Sequence, residues 1–226
     1  MIPAQIFCRV VRLRTEAGRQ GTGFIVDHSE GRALVTAAHL CDGNREEAIE
    51  FKQAYGESAA VVGYLDRVGS LEAEPDVAAF DLPESLWPRW FVGAVSLSSK
   101  GVFYGQDCYL LGYPYGLISS LGEVGRELPM IKKGVVAGST SDAVRGWFID
   151  THVNPGFSGG PLVFERAGSP GAFCIAGVIQ GAFTAPLVEP TEVDPTPLQQ
   201  PAGIAFCTDA QHVLDLGLSQ DHPHGL

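Results

Sequence analysis

The chain has 226 residues, of which 45% are hydrophobic and 18% charged, enough for a sizeable core in one large domain or two small ones. Fifteen basic against 26 acidic residues give a formal net charge of -11, and the only adjacent basic pair is Lys132 and Lys133. Nucleic acids and anionic membranes attract positively charged proteins, so we expect neither as a partner.

The N-terminal residues and the cysteines indicate in which cellular compartment the protein is expected. "MIPAQIFCRVVRLR" has arginines where a secretory signal has its apolar core, and no segment approaches the roughly eighteen apolar residues of a membrane span. We therefore expect a soluble, cytoplasmic protein. The cysteines are odd in number and widely spaced, with no C-x-x-C pair, so we expect reduced, buried thiols and no metal site: Cys8, Cys41, Cys108, Cys174 and Cys207.

Short apolar runs recur about every ten residues, beginning with "AQIFCRVVRL", "GTGFIVD" and "ALVTAA" and ending with "FCIAGVIQGAF" and "AGIAFCT". Turn residues separate them, which is typical of an all-β barrel or sandwich. "LPESLWPRW" could form one helical turn, and "TDAQHVLDLGL" predicts a short terminal helix capped by Thr208 or Asp209. The proline-rich segment 184–203 is expected to be a long loop between two strands.

Ser158 lies in "VNPGFSGGPLVF" and raises two alternatives. G-F-S-G-G fits the nucleophile elbow of α/β hydrolases, but that elbow is followed by a helix, and Pro161 with a β-like run follows here. A glycine-rich loop whose backbone N–H groups stabilise an oxyanion is the other setting for a reactive serine. Such a serine needs a base and an acid; without them, a serine between glycines is only part of a turn.

Two upstream segments supply these groups. His39 follows the predicted strand "ALVTAA", and Asp76 precedes the apolar strand of "EPDVAAFDLP". Asp66 and Asp81 are alternatives for the acid, but only Asp76 is followed by the alternating Val-Ala-Ala-Phe run. The three groups occur in the order His, Asp, Ser.

"LVTAAHL", "DVAAF" and "GFSGGPL" resemble, in this order, three motifs of the chymotrypsin-like serine peptidases. Residues 154–162 and "PAGIAFCTDAQHVLDL" are most similar to the protease domain of bacterial HtrA-like peptidases. The resemblance implies two six-stranded antiparallel β-barrels and a short C-terminal helix. The implied units are a first barrel at 1–97 with the histidine and aspartate, a second barrel at 98–208 with the serine, and the helix at 209–217.

The resemblance also implies roles. Ser158 would be the nucleophile, His39 the general base and then acid, and Asp76 the carboxylate that orients the imidazole. The N–H groups of Gly156 and Ser158 would form the oxyanion hole. The implied activity is hydrolysis of peptide bonds through an acyl-enzyme, without a cofactor or metal.

A protein or peptide substrate would add as an edge strand beside the serine. The residues implied for substrate binding are His152, Val153, Asn154, Ile179, Gln180 and Gly181. His152 at the base of the pocket would favour an acidic or polar side chain; if His152 faces elsewhere, Val153 would shape a small apolar pocket.

Phe157 departs from the digestive members of the family, which have an aspartate there that pairs with a freed N-terminal amine. That route of setting the oxyanion loop is absent. The competing hypothesis is therefore a catalytically silent or partner-activated binding module, with a regulatory protein as a further partner. The acidic segment 184–203 is either a regulatory lid or a passive insertion.

Overall fold

The computed structural model describes residues 2–15, 18–41, 48–53, 58–62, 75–87, 93–121, 126–140, 144–187, 198–218 and 220. The first part of the chain contains α1 (Ala4–Phe7), β1 (Val10–Thr15), β2 (Gln20–His28), β3 (Gly31–Thr36), β4 (Ala48–Gln53), β5 (Ser58–Val62) and β6 (Ala78–Asp81). The second part contains β7 (Ser96–Leu97), β8 (Asp107–Gly112), β9 (Ser119–Leu121), β10 (Arg126–Leu128), β11 (Met130–Ser139), β12 (Gly146–Asp150), β13 (Pro161–Glu165), β14 (Phe173–Pro186), β15 (Gln199–Asp209) and α2 (Ala210–Leu214).

The first six strands form one antiparallel sheet in the order β5-β4-β1-β2-β3-β6. Its inward-facing side chains are apolar and buried, among them Val11, Leu13, Ile25, Leu34 and Phe80. β3 is buried at four consecutive positions, 33–36, because one of its faces lines this core and the other packs toward the second barrel.

The second barrel is closed. Its strands follow the order β13-β8-β11-β12-β15-β14, and β14 pairs back with β13. Its interior contains Cys108, Leu110, Ile149, Phe164 and Ala205, each almost completely buried. The all-β double-barrel prediction is confirmed.

A third cluster joins the two barrels. It combines Phe24 and Val35 of the first barrel with Leu111 and Val178 of the second, and it also includes Val213 of α2. Since these side chains are buried together, the two barrels share one hydrophobic contact and their facing loops are held in a fixed relation.

The division of the chain into two barrels at residue 97 remains a prediction, and the pairing of β7 does not agree with this boundary. Ser96 and Leu97 were assigned to the first barrel, whereas β7 pairs in parallel with β14 of the second. The chain reaches the second barrel before residue 98 because Leu97 is buried in the cluster between the barrels.

The terminal helix begins as predicted. Asp209 is the N-cap residue and its side chain accepts a hydrogen bond from Gln211 N, while Ala210 and Val213 are buried. The helix ends at Leu214, within the predicted range 209–217. The predicted turn near residue 85 is a short 3-10 helix at Glu84–Leu86.

The expected long loop at 184–203 is shorter than predicted. β14 continues to Pro186 and β15 begins at Gln199, with Thr184, Ala185 and Pro186 facing Pro201, Gln200 and Gln199. The prolines misled the prediction because proline is compatible with the end of a two-stranded ribbon, where few ladder hydrogen bonds are required. Residues 188–197 lie outside the described part, so the lid and insertion hypotheses remain predictions.

All five cysteines are buried thiols outside any disulfide, as predicted. Burial raises the pKa of the Cys108 thiol to about 12 and raises that of Cys207 as well. None of the helices in the described part of the chain is long and apolar enough to cross a membrane.

Candidate active site

His39 lies just after β3, in a 3-10 turn at Ala38–Leu40. Its backbone N–H donates to Asp76 Oδ1 at 2.7 Å, and its ring Nδ1 lies 2.6 Å from Asp76 Oδ2. A carboxylate only accepts hydrogen bonds, so Nδ1 carries a proton, and in the neutral imidazole this leaves Nε2 with its lone pair. This is the tautomer that a general base requires.

Asp76 immediately precedes the β-bridge residue Val77 and β6, and its side chain is 14% exposed. Its own carbonyl accepts from Ala38 N at 3.3 Å, which holds the His39 turn against it. Of the alternatives for the acid, Asp81 is exposed at the far end of β6, and Asp66 lies outside the described residues.

Ser158 lies in the loop between β12 and β13, and this loop is joined to β14 directly after the serine. Gly159 N donates to Ile179 O at 2.7 Å and Ile179 N donates to Gly160 O at 2.8 Å. The Ser158 hydroxyl donates to Gln180 O at 2.8 Å. The serine is therefore fixed to the second barrel.

Gln180 connects the serine to the aspartate. Its carbonyl accepts from Ser158, while its side-chain Nε2 donates to Asp76 O at 2.8 Å and to Thr208 Oγ1 at 2.9 Å. The structure thus brings the three predicted residues to one site, at the junction of the barrels. Within the described residues, no hydrogen bond joins Ser158 Oγ to the His39 ring.

The N–H groups predicted for the oxyanion hole belong to Gly156 and Ser158. Gly156 has φ +101°, in the left-handed region, and a Cβ there would lie 2.4 Å from Tyr113 O. Among the described residues, neither N–H has a hydrogen-bond acceptor.

The residues predicted for substrate binding fall into two groups. Val153 and Ile179 are 4% and 0% exposed and belong to the core of the second barrel, so only their backbones face the site. Gln180 turns its amide toward Asp76 instead of a pocket. His152 is exposed, while Asn154 and Gly181 are partly exposed near the serine loop.

The edge of β14 beyond Gln180 is open in the described part of the chain, since Ile179 and the Gln180 carbonyl are bonded to the serine loop. β13 pairs with β14 only as far as Val178, and from Gly181 to Pro186 the recorded partner of β14 is β15 alone. The opposite edge of this segment can therefore accept another extended strand through backbone hydrogen bonds.

Sequence analysis missed several polar residues that support the site. Arg19 donates to His39 O at 2.7 Å and to Cys41 O at 3.2 Å. Thr22 donates to Gly156 O at 2.6 Å. Thr22 lies within the quoted "GTGF" motif, but its partner is 134 residues away in the chain, so no local pattern could have revealed the contact.

Three phenylalanines form a cluster that also went unpredicted. The ring centroids of Phe148, Phe183 and Phe206 lie 5.6 to 6.4 Å apart on neighbouring strands β12, β14 and β15. The described residues contain no group of three or more His, Cys, Asp or Glu side chains that could hold a metal ion.

The chain was compared with known proteins. The family model of a trypsin-like peptidase domain matches residues 21–169, more than half of the chain. A search of curated proteins returns no significant match.

Solved structures with a similar fold include three proteases. The HtrA-type protease AlgW with a tripeptide has TM-score 0.60 and 20% identity, over 94% of this chain and 60% of AlgW. The active form of the Rv3671c protease from M. tuberculosis has TM-score 0.59 and 20% identity, over 98% and 86% of the two chains. The serine endoprotease from Yersinia pestis has TM-score 0.60 and 17% identity, over 94% of this chain and 62% of its own. The chain thus spans less than two thirds of AlgW and of the Yersinia protein.

Proposed function

Because the chain belongs to the trypsin-like peptidase domain family, we propose that it is a serine endopeptidase with Ser158 as nucleophile. The observation that carries the proposal is the pairing of His39 Nδ1 with Asp76 at 2.6 Å, with Gln180 joining Asp76 to Ser158. The arrangement supplies a nucleophile, a base in the required tautomer and an orienting carboxylate.

The reaction begins with a rotation of the Ser158 side chain. Its hydroxyl leaves Gln180 O, gives its proton to His39 Nε2, and Oγ attacks the carbonyl carbon of the scissile peptide. The imidazolium then gives the proton to the leaving amine, and the acyl-enzyme forms as the C–N bond breaks. A water molecule, deprotonated by His39, attacks the ester and restores the Ser158 hydroxyl.

The negative charge that develops on the substrate oxygen is stabilised by the N–H groups of Gly156 and Ser158. Their lack of acceptors within the described chain supports this role. Removing one such donor typically costs about 3 to 4 kcal/mol of transition-state stabilisation.

A peptide substrate adds to the open edge of β14 at Gly181 and beyond, in an extended conformation. Its backbone supplies affinity through ladder hydrogen bonds, which requires no particular sequence. Because Val153 and Ile179 are buried, side-chain preference depends on the exposed His152 and on Asn154. The exposed His152 is compatible with an acidic or a neutral substrate side chain, and cleavage of peptides that differ at this position distinguishes the two.

One contact favours the competing function, a silent or partner-activated binding module. Ser158 donates to Gln180 O rather than to His39. If this contact is not exchanged for one with His39, the fold binds an extended peptide without cleaving it. Catalytic hydrogen bonds in ligand-free enzymes are often long or misaligned, so the contact with Gln180 O does not by itself argue against the enzyme.

Labelling with a fluorophosphonate probe separates the two functions. We expect covalent labelling of the native protein, detected by intact-protein mass spectrometry, because the reaction needs an activated serine. Ser158→Ala should abolish it, and His39→Ala should slow it by about 10⁶-fold. Ser169→Ala, a change at an exposed turn serine, is the matched control and retains full labelling. Native protein that takes up no probe contradicts the enzyme.

A further inference from the structure

Thr22 connects the first barrel to the serine loop of the second. It lies in β2 and is completely buried. Its hydroxyl donates to Gly156 O at 2.6 Å and accepts from Tyr113 N at 3.0 Å, and its backbone N–H donates to Ser158 O at 2.9 Å. One residue of the first barrel therefore holds carbonyls on both sides of Phe157.

The direction of each carbonyl determines the direction of the neighbouring N–H, because a trans peptide directs its C=O and N–H to opposite sides. The peptide that carries Gly156 N–H has its carbonyl on Pro155, which accepts from Tyr115 N at 2.8 Å. The peptide that carries Ser158 N–H has its carbonyl on Phe157, which accepts from Gly160 N at 2.9 Å. Between them lies the Gly156 carbonyl, held by the Thr22 hydroxyl.

This middle peptide is held from within the loop by Phe157 N–H, which donates to Asn154 O at 3.2 Å, and from the first barrel by Thr22. Glycine can adopt either sign of φ at little cost, so Gly156 does not itself fix the loop. Phe157 is apolar and 1% exposed, and so offers no ion pair from the following residue. Within the described residues, the Thr22 hydroxyl is the side-chain group that binds a carbonyl of the segment 155–158.

Thr22 also binds the turn whose backbone N–H holds the Pro155 carbonyl. Tyr115 has φ 53°, the one non-glycine residue with positive φ in the described chain, and its N–H donates to Pro155 O. Tyr113 N, two residues earlier, donates to Thr22 Oγ1. A strained conformation of this kind persists only where its surroundings stabilise it, and the Thr22 hydroxyl is one of these contacts.

We infer that Thr22 is a positioning residue: its hydroxyl sets the oxyanion loop, in the place of an N-terminal ion pair, so that the N–H groups of Gly156 and Ser158 stay available. The inference rests on the proposed function for its catalytic consequence, but the position of the loop can be measured separately.

The test compares Thr22→Val with Thr22→Ser. Valine keeps the volume and removes the hydroxyl, whereas serine keeps the hydroxyl. We expect the limiting rate of fluorophosphonate labelling, kinact, to fall about 10- to 100-fold in Thr22→Val. The half-saturating probe concentration should change little, because a displaced N–H donor reduces stabilisation of the transition state more than it reduces binding of the probe. Thr22→Ser should retain kinact within about 3-fold of the native value.

Thr140→Val is the matched control. Thr140 Oγ1 also donates to a carbonyl at 2.6 Å, that of Val144, between β11 and β12 and outside the site. It should label at the native rate. The folded fraction, measured by urea unfolding, separates folding from positioning, because a variant that only unfolds lowers the observed kinact in proportion to this fraction. A native kinact in Thr22→Val overturns the inference while the proposed function stands.

Crystal structures of the native protein and Thr22→Val provide a measurement that needs no activity. We expect the Gly156 carbonyl to face Thr22 Oγ1 in the native protein and to turn away in the variant. If the native protein takes up no probe but this rotation is seen, the proposed function fails and the positioning of the loop by Thr22 remains. An unchanged loop in Thr22→Val overturns the inference whatever the activity.

Discussion

Gly159, next to the proposed nucleophile, is a position at the barrel junction where the structure permits only glycine. It has φ +82°, and a Cβ there would lie 2.1 Å from both Thr22 O and Thr36 Oγ1. Two separate effects exclude a side chain: the left-handed backbone conformation, and contact with the first barrel. A glycine elsewhere in the chain can separate these effects.

Gly159→Ala should abolish fluorophosphonate labelling and lower the free energy of unfolding by about 4 kcal/mol or more, since backbone strain and a steric clash combine. The measurement is urea unfolding followed by tryptophan fluorescence. Gly101→Ala is the control, because Gly101 has a similar φ of +89° but nothing within 4 Å of the added Cβ. It should lose only about 1 to 2 kcal/mol and keep its activity. Equal losses in the two variants would show that the contact with the first barrel is unimportant.

The candidate residues differ in how far sequence could identify them. Ser158, His39 and Asp76 occur in local motifs, so a short stretch of sequence is enough to predict each. Gln180 was predicted to line a pocket, but its amide binds Asp76 O and Thr208 Oγ1. These partners lie 104 and 28 residues away, and only the packing of the barrels brings them together.

Among the elements, α2 was predicted from its cap, and the structure shows how that cap is built. Asp209 Oδ1 accepts from Gln211 N at 2.7 Å and from Ser99 Oγ at 3.0 Å. The first contact is local and typical of helix N-termini. The second connects the start of the helix to the segment after β7, so one side chain stabilises both the helix and its docking.

Asp209→Ala should destabilise the protein by about 1 to 2 kcal/mol, because it removes the oxygen that accepts both hydrogen bonds in a completely buried site. Thermal and urea unfolding measure the loss, and labelling of Ser158 should stay at the native rate in the folded protein. Asp209→Asn keeps an acceptor oxygen and should lose less. If alanine and asparagine cost the same, the cap does not contribute to stability.

The strands β14 and β15 show where element prediction fails. Their apolar cores were recognised, but the proline-rich ends were assigned to a loop. Residue propensities report on isolated segments, whereas Thr184 and Pro201 become strand residues by pairing with each other. Pairing partners distant in sequence decide such boundaries.

At the scale of the whole molecule, the cysteines show how completely the interior of the protein is shielded from water. Each of the five is a buried thiol outside any disulfide, and desolvation raises the pKa of Cys108 to about 12 and also raises that of Cys207, because the thiolate is disfavoured away from water. The packing of the second barrel therefore also makes the thiols of Cys108 and Cys207 unreactive.

Iodoacetamide at pH 8 should leave Cys108 and Cys207 unmodified in the native protein. A thiol whose pKa is near 12 is almost entirely protonated at this pH, and alkylation requires the thiolate and access to it. In urea both residues should react rapidly, because an exposed thiol has a pKa of about 8.5. Peptide mapping by mass spectrometry measures the modified fraction; rapid alkylation of native Cys108 would contradict its burial.

The sequence by itself determined the fold class, the terminal helix, the reduced cysteines and the three candidate catalytic residues. All of these depend on short-range signals: alternation of apolar residues, a cap, spacing, or a motif of a few residues. The tertiary structure alone decided which polar groups hold the site together. Thr22, Gln180 and Tyr115 act through partners in other elements, and hydrogen-bond partners of this kind are set by how two barrels pack. The open edge of β14 is likewise a property of the sheet, because a strand edge is defined by which strands lie beside it.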